Sequence, residues 1–212
     1  MKRRLTLLGL AASLAIASPL RAEDTTRFQP MKAEQLNPEQ KKWAEQITAP
    51  PRNAKFVNPP YRAYIYSPEL AGRLSPLSDY LRWNSSLAPR LSEMAILITA
   101  RQWTAQYEWY AHYPLALKGG LDAKIADAIA QGKRPEGMKE DETALYDLAT
   151  ELYRDKKVSD PVYKAALGQF GERGIMDIIG IIGYYDLVSM TLITMQAGMP
   201  DDKVKPLPAL AR

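Results

Sequence analysis

The only histidine among the 212 residues, His112, stands in the run AQYEWYAH at 105–112, four positions after Glu108. On a helix that spacing puts both side chains on one face, where a carboxylate can hold an imidazole. The carboxylate would fix the ring tautomer and raise its pKa, which suits a proton donor or acceptor near neutral pH. Tyr107, Trp109 and Tyr110 surround the pair. They could wall off a small dry pocket, although aromatic residues at helical spacing more often belong to a core. An isolated Glu-x-x-x-His is likewise more often a surface pair or a satisfied core histidine than a catalytic couple.

Glu93 and Arg101 lie eight residues apart just upstream, so on one helix they face broadly the same way. Arg101 could grip a substrate carboxylate through two parallel hydrogen bonds. From composition alone, an ion pair of Arg101 with Glu93 or Glu108 is the better reading. Tyr184, Tyr185 and Asp186 bring polar atoms into an otherwise apolar run, and those atoms need partners. They either line a pocket or hydrogen-bond across a subunit contact.

The elements that must position these groups read as helices. Residues 23–62 form a polar, proline-rich arm with one short helix, NPEQKKWAEQ, starting after Asn37. Asn37 suits the N-cap and Pro38 the first turn. ITAPPRNAKFVNPPYR is expected to be extended, because repeated prolines oppose helix. The arm either wraps its own domain or a neighbouring subunit, or is a loose tether. From Ser67 the pattern becomes helical: Ser67 to Leu81, Pro89 to Trp103, and a helix through Tyr107–Lys118 capped by Thr104. Pro114 predicts a kink or a new start inside that last helix. Further helices follow at Asp122–Gln131, Glu142–Arg154, from Ser159 to near Gly171, and Gly174–Ala197. The final one is apolar nearly all round, which suits a central or interface-buried element. Asp177 and Asp186 interrupt it, so a membrane span is not expected. No strand-like alternation of any length occurs, and the fold class is all-α.

Composition narrows the chemistry. Residues 1–22, MKRRLTLLGLAASLAIASPLRA, have the layout of a secretory signal peptide: a basic start, a short apolar run and a small residue at a cleavage point. The Arg3-Arg4 pair hints at twin-arginine export without matching that pattern well. Export, most simply to a bacterial periplasm, is the expectation. The formal charge is +4, but the leader holds four basic residues and no acid, and its removal leaves 24 basic residues against 24 acidic. A nucleic-acid-binding role therefore loses its electrostatic support. There is no cysteine, which excludes disulfides, thiol peroxidase chemistry and thiolate metal sites. A single histidine excludes a His-rich metal site. No motif points to a metal or an organic cofactor.

The run LSEMAILITARQWTAQYEWYAHYPLALKGGL resembles the core of the carboxymuconolactone decarboxylase family, which shares its fold with alkylhydroperoxidase D. YSPELAGRL and LRWNSSLAPRLSE before it, and IIGYYDLV after it, extend the likeness from about Asn37 to Pro200. The resemblance implies a compact helical bundle over residues 63–212, behind the arm. It implies a cofactor-free enzyme acting on a small carboxylated lactone or a related acid. His112 would deliver or remove the proton, Glu108 and Glu93 would orient and tune it, and Arg101 would pair with a substrate carboxylate. Trp109, Tyr185 and Tyr107 would shape the pocket. A homo-oligomer, trimer or hexamer, with the pocket near a subunit contact is also implied. In the peroxidase branch two cysteines precede the histidine; counting back from His112, their slots fall on Ala105 and Glu108. The cysteine mechanism is thus excluded. The aromatic-acid pathway of the decarboxylases is cytoplasmic, whereas this chain reads as exported, which opens the substrate to other acids. The alternative is a non-enzymatic ligand-binding or assembly module that keeps the fold. The two differ in whether a ligand can reach His112.

Overall fold

A computed structural model describes residues 27–210, so the leader reading lies outside the described residues. Among them the chain is helical, without strands. The helices are α1 (Pro38–Thr48), α2 (Tyr61–Tyr64), α3 (Pro68–Asp79), α4 (Pro89–Trp103), α5 (Gln106–Lys118), α6 (Ala123–Ala130), α7 (Glu140–Asp155) and α8 (Asp160–Thr194). The all-α expectation holds.

α4 is the axis of the bundle. Residues 94 to 101 are buried on every side, and α5, α6, α7 and α8 all pack against it. Such an all-round apolar helix can exist only where neighbours cover each face. Its C-terminal end departs from the sequence reading: Thr104 does not cap α5 but closes α4 in the left-handed conformation, at φ 52° and ψ 38°. That is a costly backbone for a β-branched residue. It turns the chain sharply, and Ala105 becomes the N-cap of α5. α5 then runs through Pro114 without a new start. Pro114 itself is exposed, so its ring displaces no packed neighbour.

The arm folds onto its own domain. Asn37 and Gln40 form a reciprocal capping box at 2.9 Å in each direction. Trp43, Ile47, Tyr64, Ile65 and Ala71 make a second small core, and the Trp43 indole N–H donates to Ser75 Oγ at 3.1 Å. α2 straddles the expected boundary at residue 62.

α3 does not reach Leu81 as an α-helix. It passes into a π-helical turn, Tyr80–Asn84, a distortion that often marks functional sites. Asp177 of α8, 5% exposed, ties down both ends of this turn. It accepts from the Ser86 N–H at 2.7 Å, the Ser86 hydroxyl at 2.6 Å and the Tyr80 hydroxyl at 2.8 Å. Burial opposes its charge, but these donors outweigh burial and hold its carboxyl below the usual range.

The two helices expected on either side of Gly171 follow one another directly within α8 and meet at a kink at Gly171, where the backbone leaves helical geometry at φ 63° and ψ 178°. That region is essentially reserved for glycine. Because no atom lies within 4 Å of a Cβ placed there, the cost of a side chain is purely conformational. Gly171→Ala should lower stability by about 1–3 kcal/mol in urea unfolding. Gly168→Ala, in regular exposed helix, should raise it by up to about 1 kcal/mol. Equal effects at the two positions would contradict this account of the break.

Candidate active site

α4 and α5 run antiparallel across the turn at Thr104, so a residue early in α4 meets one late in α5. Glu93 and His112 are brought together in this way: His112 Nδ1 lies 2.6 Å from Glu93 Oε2. One helical turn back on α5, Glu108 Oε1 lies 3.0 Å from His112 Nε2. That contact has ion-pair distance but is not aligned as a hydrogen bond, and this buried oxygen has no other donor. The three side chains are between 4% and 13% exposed.

Burial works against charge on the ring, but the Glu93 and Glu108 carboxylates outweigh it and raise His112 to about 9. At neutral pH the imidazole is therefore protonated. Its Nδ1–H is committed to Glu93, while Nε2–H has only the poorly aligned Glu108 oxygen. The ring packs edge-on against Tyr185 at 5.1 Å between centroids. Burial drives the Tyr185 hydroxyl far above its ordinary range and pushes Tyr184 up to about 12, so both phenols stay neutral.

His112 and Glu108 line a cavity of about 160 Å³, with Tyr107, Tyr184 and Tyr185 on its walls. Glu93 sits behind the ring. Two arginines that the sequence did not single out complete the cavity. Arg82 comes from the π-turn, and its Nη1 donates to the Tyr185 hydroxyl at 3.3 Å. Burial opposes its charge, but Tyr185 and Glu93 outweigh burial and raise its pKa. No carboxylate among the described residues forms a salt bridge with it. Arg52 comes from the arm, which also contributes Pro59, Pro60 and Tyr61. Arg52 is held by an ion pair with Asp79, by the Tyr61 hydroxyl at 3.1 Å and over the Trp83 ring at 5.1 Å.

Of the residues singled out in the sequence, Glu93, Glu108, His112, Tyr107 and Tyr185 converge, and Arg101 and Trp109 do not. Eight residues beyond Glu93, Arg101 is about 12 Å further along the helix axis. It is buried at the other end of the hairpin, where it donates to the Ala130 carbonyl at 3.1 Å, the Pro208 carbonyl at 2.7 Å and the Thr104 hydroxyl at 2.7 Å. It clamps the C-terminal tail. Trp109 is 1% exposed, packs on Tyr113 at 5.5 Å and lies with Val204 on the tail side. Asp186 accepts from Trp103 and Tyr153 instead of entering the cavity. The signal for Arg82 lay in LRWNSS, within the family likeness but without helical register to His112. Arg52 lay in the proline-rich connector, where no periodicity predicts a contact.

The raised pKa of His112 carries a stability consequence. The folded state holds this proton to about pH 9, whereas an unperturbed histidine releases it near 6.5. The stabilisation is fully present below about pH 6.5 and is lost as pH rises through about 9. The urea midpoint should fall between pH 6 and 9, and His112→Gln should flatten that fall. A wild-type midpoint constant across this window would contradict the assignment.

Neither a family model nor a curated protein matches the chain. Solved structures do. An uncharacterized peroxidase-related protein from Silicibacter sp. TM1040 is 17% identical, with 90% of this chain and 97% of that one covered at a TM-score of 0.65. A protein of unknown function from Agrobacterium tumefaciens, described as a candidate antioxidant-defence protein AhpD, is 15% identical. There 66% of this chain and 97% of that one are covered, at a TM-score of 0.55. At such identities the likeness speaks for the fold alone, and it agrees with the architecture implied by the resemblance in the sequence. The chain has the alkylhydroperoxidase D-like helical fold.

Proposed function

We propose that the protein is a cofactor-free acid/base enzyme of the carboxymuconolactone decarboxylase type, acting on a small carboxylated lactone or a related acid. The observation that carries this reading is the placement of His112 between Glu93 and Glu108 at a cavity that also presents Arg82. In a decarboxylation the substrate loses carbon dioxide and keeps the bonding electron pair as a carbanion or enolate. His112 Nε2–H protonates that carbon, and the neutral ring regains its proton from solvent. Glu93 holds the ring tautomer throughout, and Glu108 stabilises the imidazolium from the side of the cavity.

Arg82 takes the part that the resemblance gave to Arg101. A guanidinium without a salt-bridge partner among the described residues, donating a hydrogen bond to the Tyr185 hydroxyl, suits a carboxylate that stays on the substrate. The neutral Tyr107, Tyr184 and Tyr185 keep the cavity poor in competing charge. With no cysteine in the chain, a thiol-based reduction of peroxide has no nucleophile here. Export to the periplasm, as the leader implies, would meet acids other than those of the cytoplasmic pathway.

The test is carbon dioxide release and ultraviolet absorbance with γ-carboxymuconolactone and related acidic lactones on the purified mature chain. His112→Gln should lower kcat by about 10²–10⁴-fold. Arg82→Gln should lower kcat/KM roughly 10–150-fold, mainly through KM, as expected for a lost charge-assisted hydrogen bond. Turnover should fall as pH rises through about 9, where His112 loses its proton. A folded protein that turns over none of these acids, or a fully active His112→Gln, would contradict the reading.

A further inference from the structure

The start of α5 is not held by a cap. Its N-cap residue is Ala105, which makes no side-chain capping hydrogen bond. The turn before it is strained, because Thr104 sits at φ 52°, and a residue other than glycine stays in that region only where its surroundings over-determine it. Here the surroundings include the segment that follows α8.

Gln106, the first residue of α5, binds that segment through both ends of its side-chain amide. Its Nε2–H donates to the Leu207 carbonyl at 2.9 Å, and its Oε1 accepts from the Leu207 N–H at 2.9 Å. A reciprocal pair to the main chain of one residue fixes direction as well as distance. In the last turn of α4, Arg101 holds the Pro208 carbonyl at 2.7 Å and the Thr104 hydroxyl at 2.7 Å. Two consecutive residues of one segment, Leu207 and Pro208, therefore grip both arms of the α4–α5 hairpin. The segment is itself firmly seated. Val204 is 5% exposed and Leu207 4%, both in the main core, and Pro206 and Pro208 keep the chain between them extended.

This grip bears on the acid/base pair through one contact. Six residues separate Gln106 from His112, about 9 Å of helix, so a tilt at the start of α5 displaces the ring. Glu108 travels with the ring on α5. Tyr185 meets it edge-on from α8, and Arg82 of the π-turn reaches the same Tyr185 hydroxyl. Tyr107, Tyr184 and, from the arm, Arg52 and Tyr61 complete the ionisable groups of the cavity. Glu93 stands on α4, and its 2.6 Å contact with Nδ1 is the one that the angle between α4 and α5 decides. A displacement of about 1 Å takes it beyond hydrogen-bond length.

We infer that the segment 203–208 is a brace for the acid/base pair and that Gln106 is a positioning residue for His112, acting through the seat of α5 without touching the ring. The ring's role comes from the acid/base reading, but the ring can be observed without a substrate. A wild type that turned over none of the acids would therefore sink that reading and leave the brace standing.

Gln106→Ala removes both bonds to Leu207 and keeps a good helix former at the position. In ¹⁵N magnetic resonance of the single histidine, this variant should release the ring proton at least about one pH unit below the wild type, a tenfold weaker hold. Leu207→Asp, which puts a carboxylate in the core and so expels the segment, should give the same shift. The double variant should shift no further, as expected for two changes to one contact. Gly171→Ala, which destabilises the fold through α8, should leave the titration where it is, and this separates positioning from a general loosening. Gln106→Ala decides alone should Leu207→Asp fail to fold. A wild-type titration in folded Gln106→Ala, additive shifts in the double variant, or an equal shift in Gly171→Ala would each overturn the inference.

Discussion

A protonated imidazole between two carboxylates is the constraint around which this protein is arranged. Burying three ionisable groups together is expensive, and removing one partner from such a group leaves a buried charge uncompensated. The arrangement survives because α4, covered on every side, holds Glu93 rigidly behind the ring, and because His112 and Glu108 are one turn apart on α5. The left-handed turn at Thr104 matters for the same reason. It fixes how α4 and α5 pass each other, and Arg101 locks it through the Thr104 hydroxyl while holding the tail at Pro208.

The other walls of the cavity depend on anchors some distance away. Arg82 stands on a π-turn whose ends are tied to Asp177 of α8. Arg52 is brought in by an arm whose own small core, around Trp43 and Ile65, docks it on α3. Tyr184 and Tyr185 come from the middle of α8, whose opposite edge leaves Met176, Ile179, Met190 and Ile193 exposed. One helix thus supplies cavity wall, turn anchor and exposed apolar face, which accounts for its composition being apolar nearly all round.

Much of this was legible in the sequence. Hydrophobic periodicity places α4, α7 and α8, and the Asn37 and Asp122 caps sit where the chain places them. The Glu108–His112 spacing, together with the family likeness, brings in Glu93, whose contact with His112 spans two helices. What failed, failed for geometric reasons. Arg101 shares a helix with Glu93, but two turns of rise carry it to the other end of the hairpin. Trp109 is adjacent to Glu108 in sequence, and adjacency on a helix means a different face. Arg82 and Arg52 belong to a distorted turn and a proline-rich connector, and neither has a period from which a tertiary contact can be inferred.

Because His112 is the only histidine, its ring can be observed alone by ¹⁵N nuclear magnetic resonance, with no assignment needed. A pH titration of the imidazole nitrogens shows directly whether the ring between the two carboxylates carries its second proton. The imidazolium should persist through neutral pH and titrate near 9, and its titration should move sharply downward in Glu93→Gln. A neutral ring at pH 7, titrating at or below the ordinary value near 6.5, would contradict it.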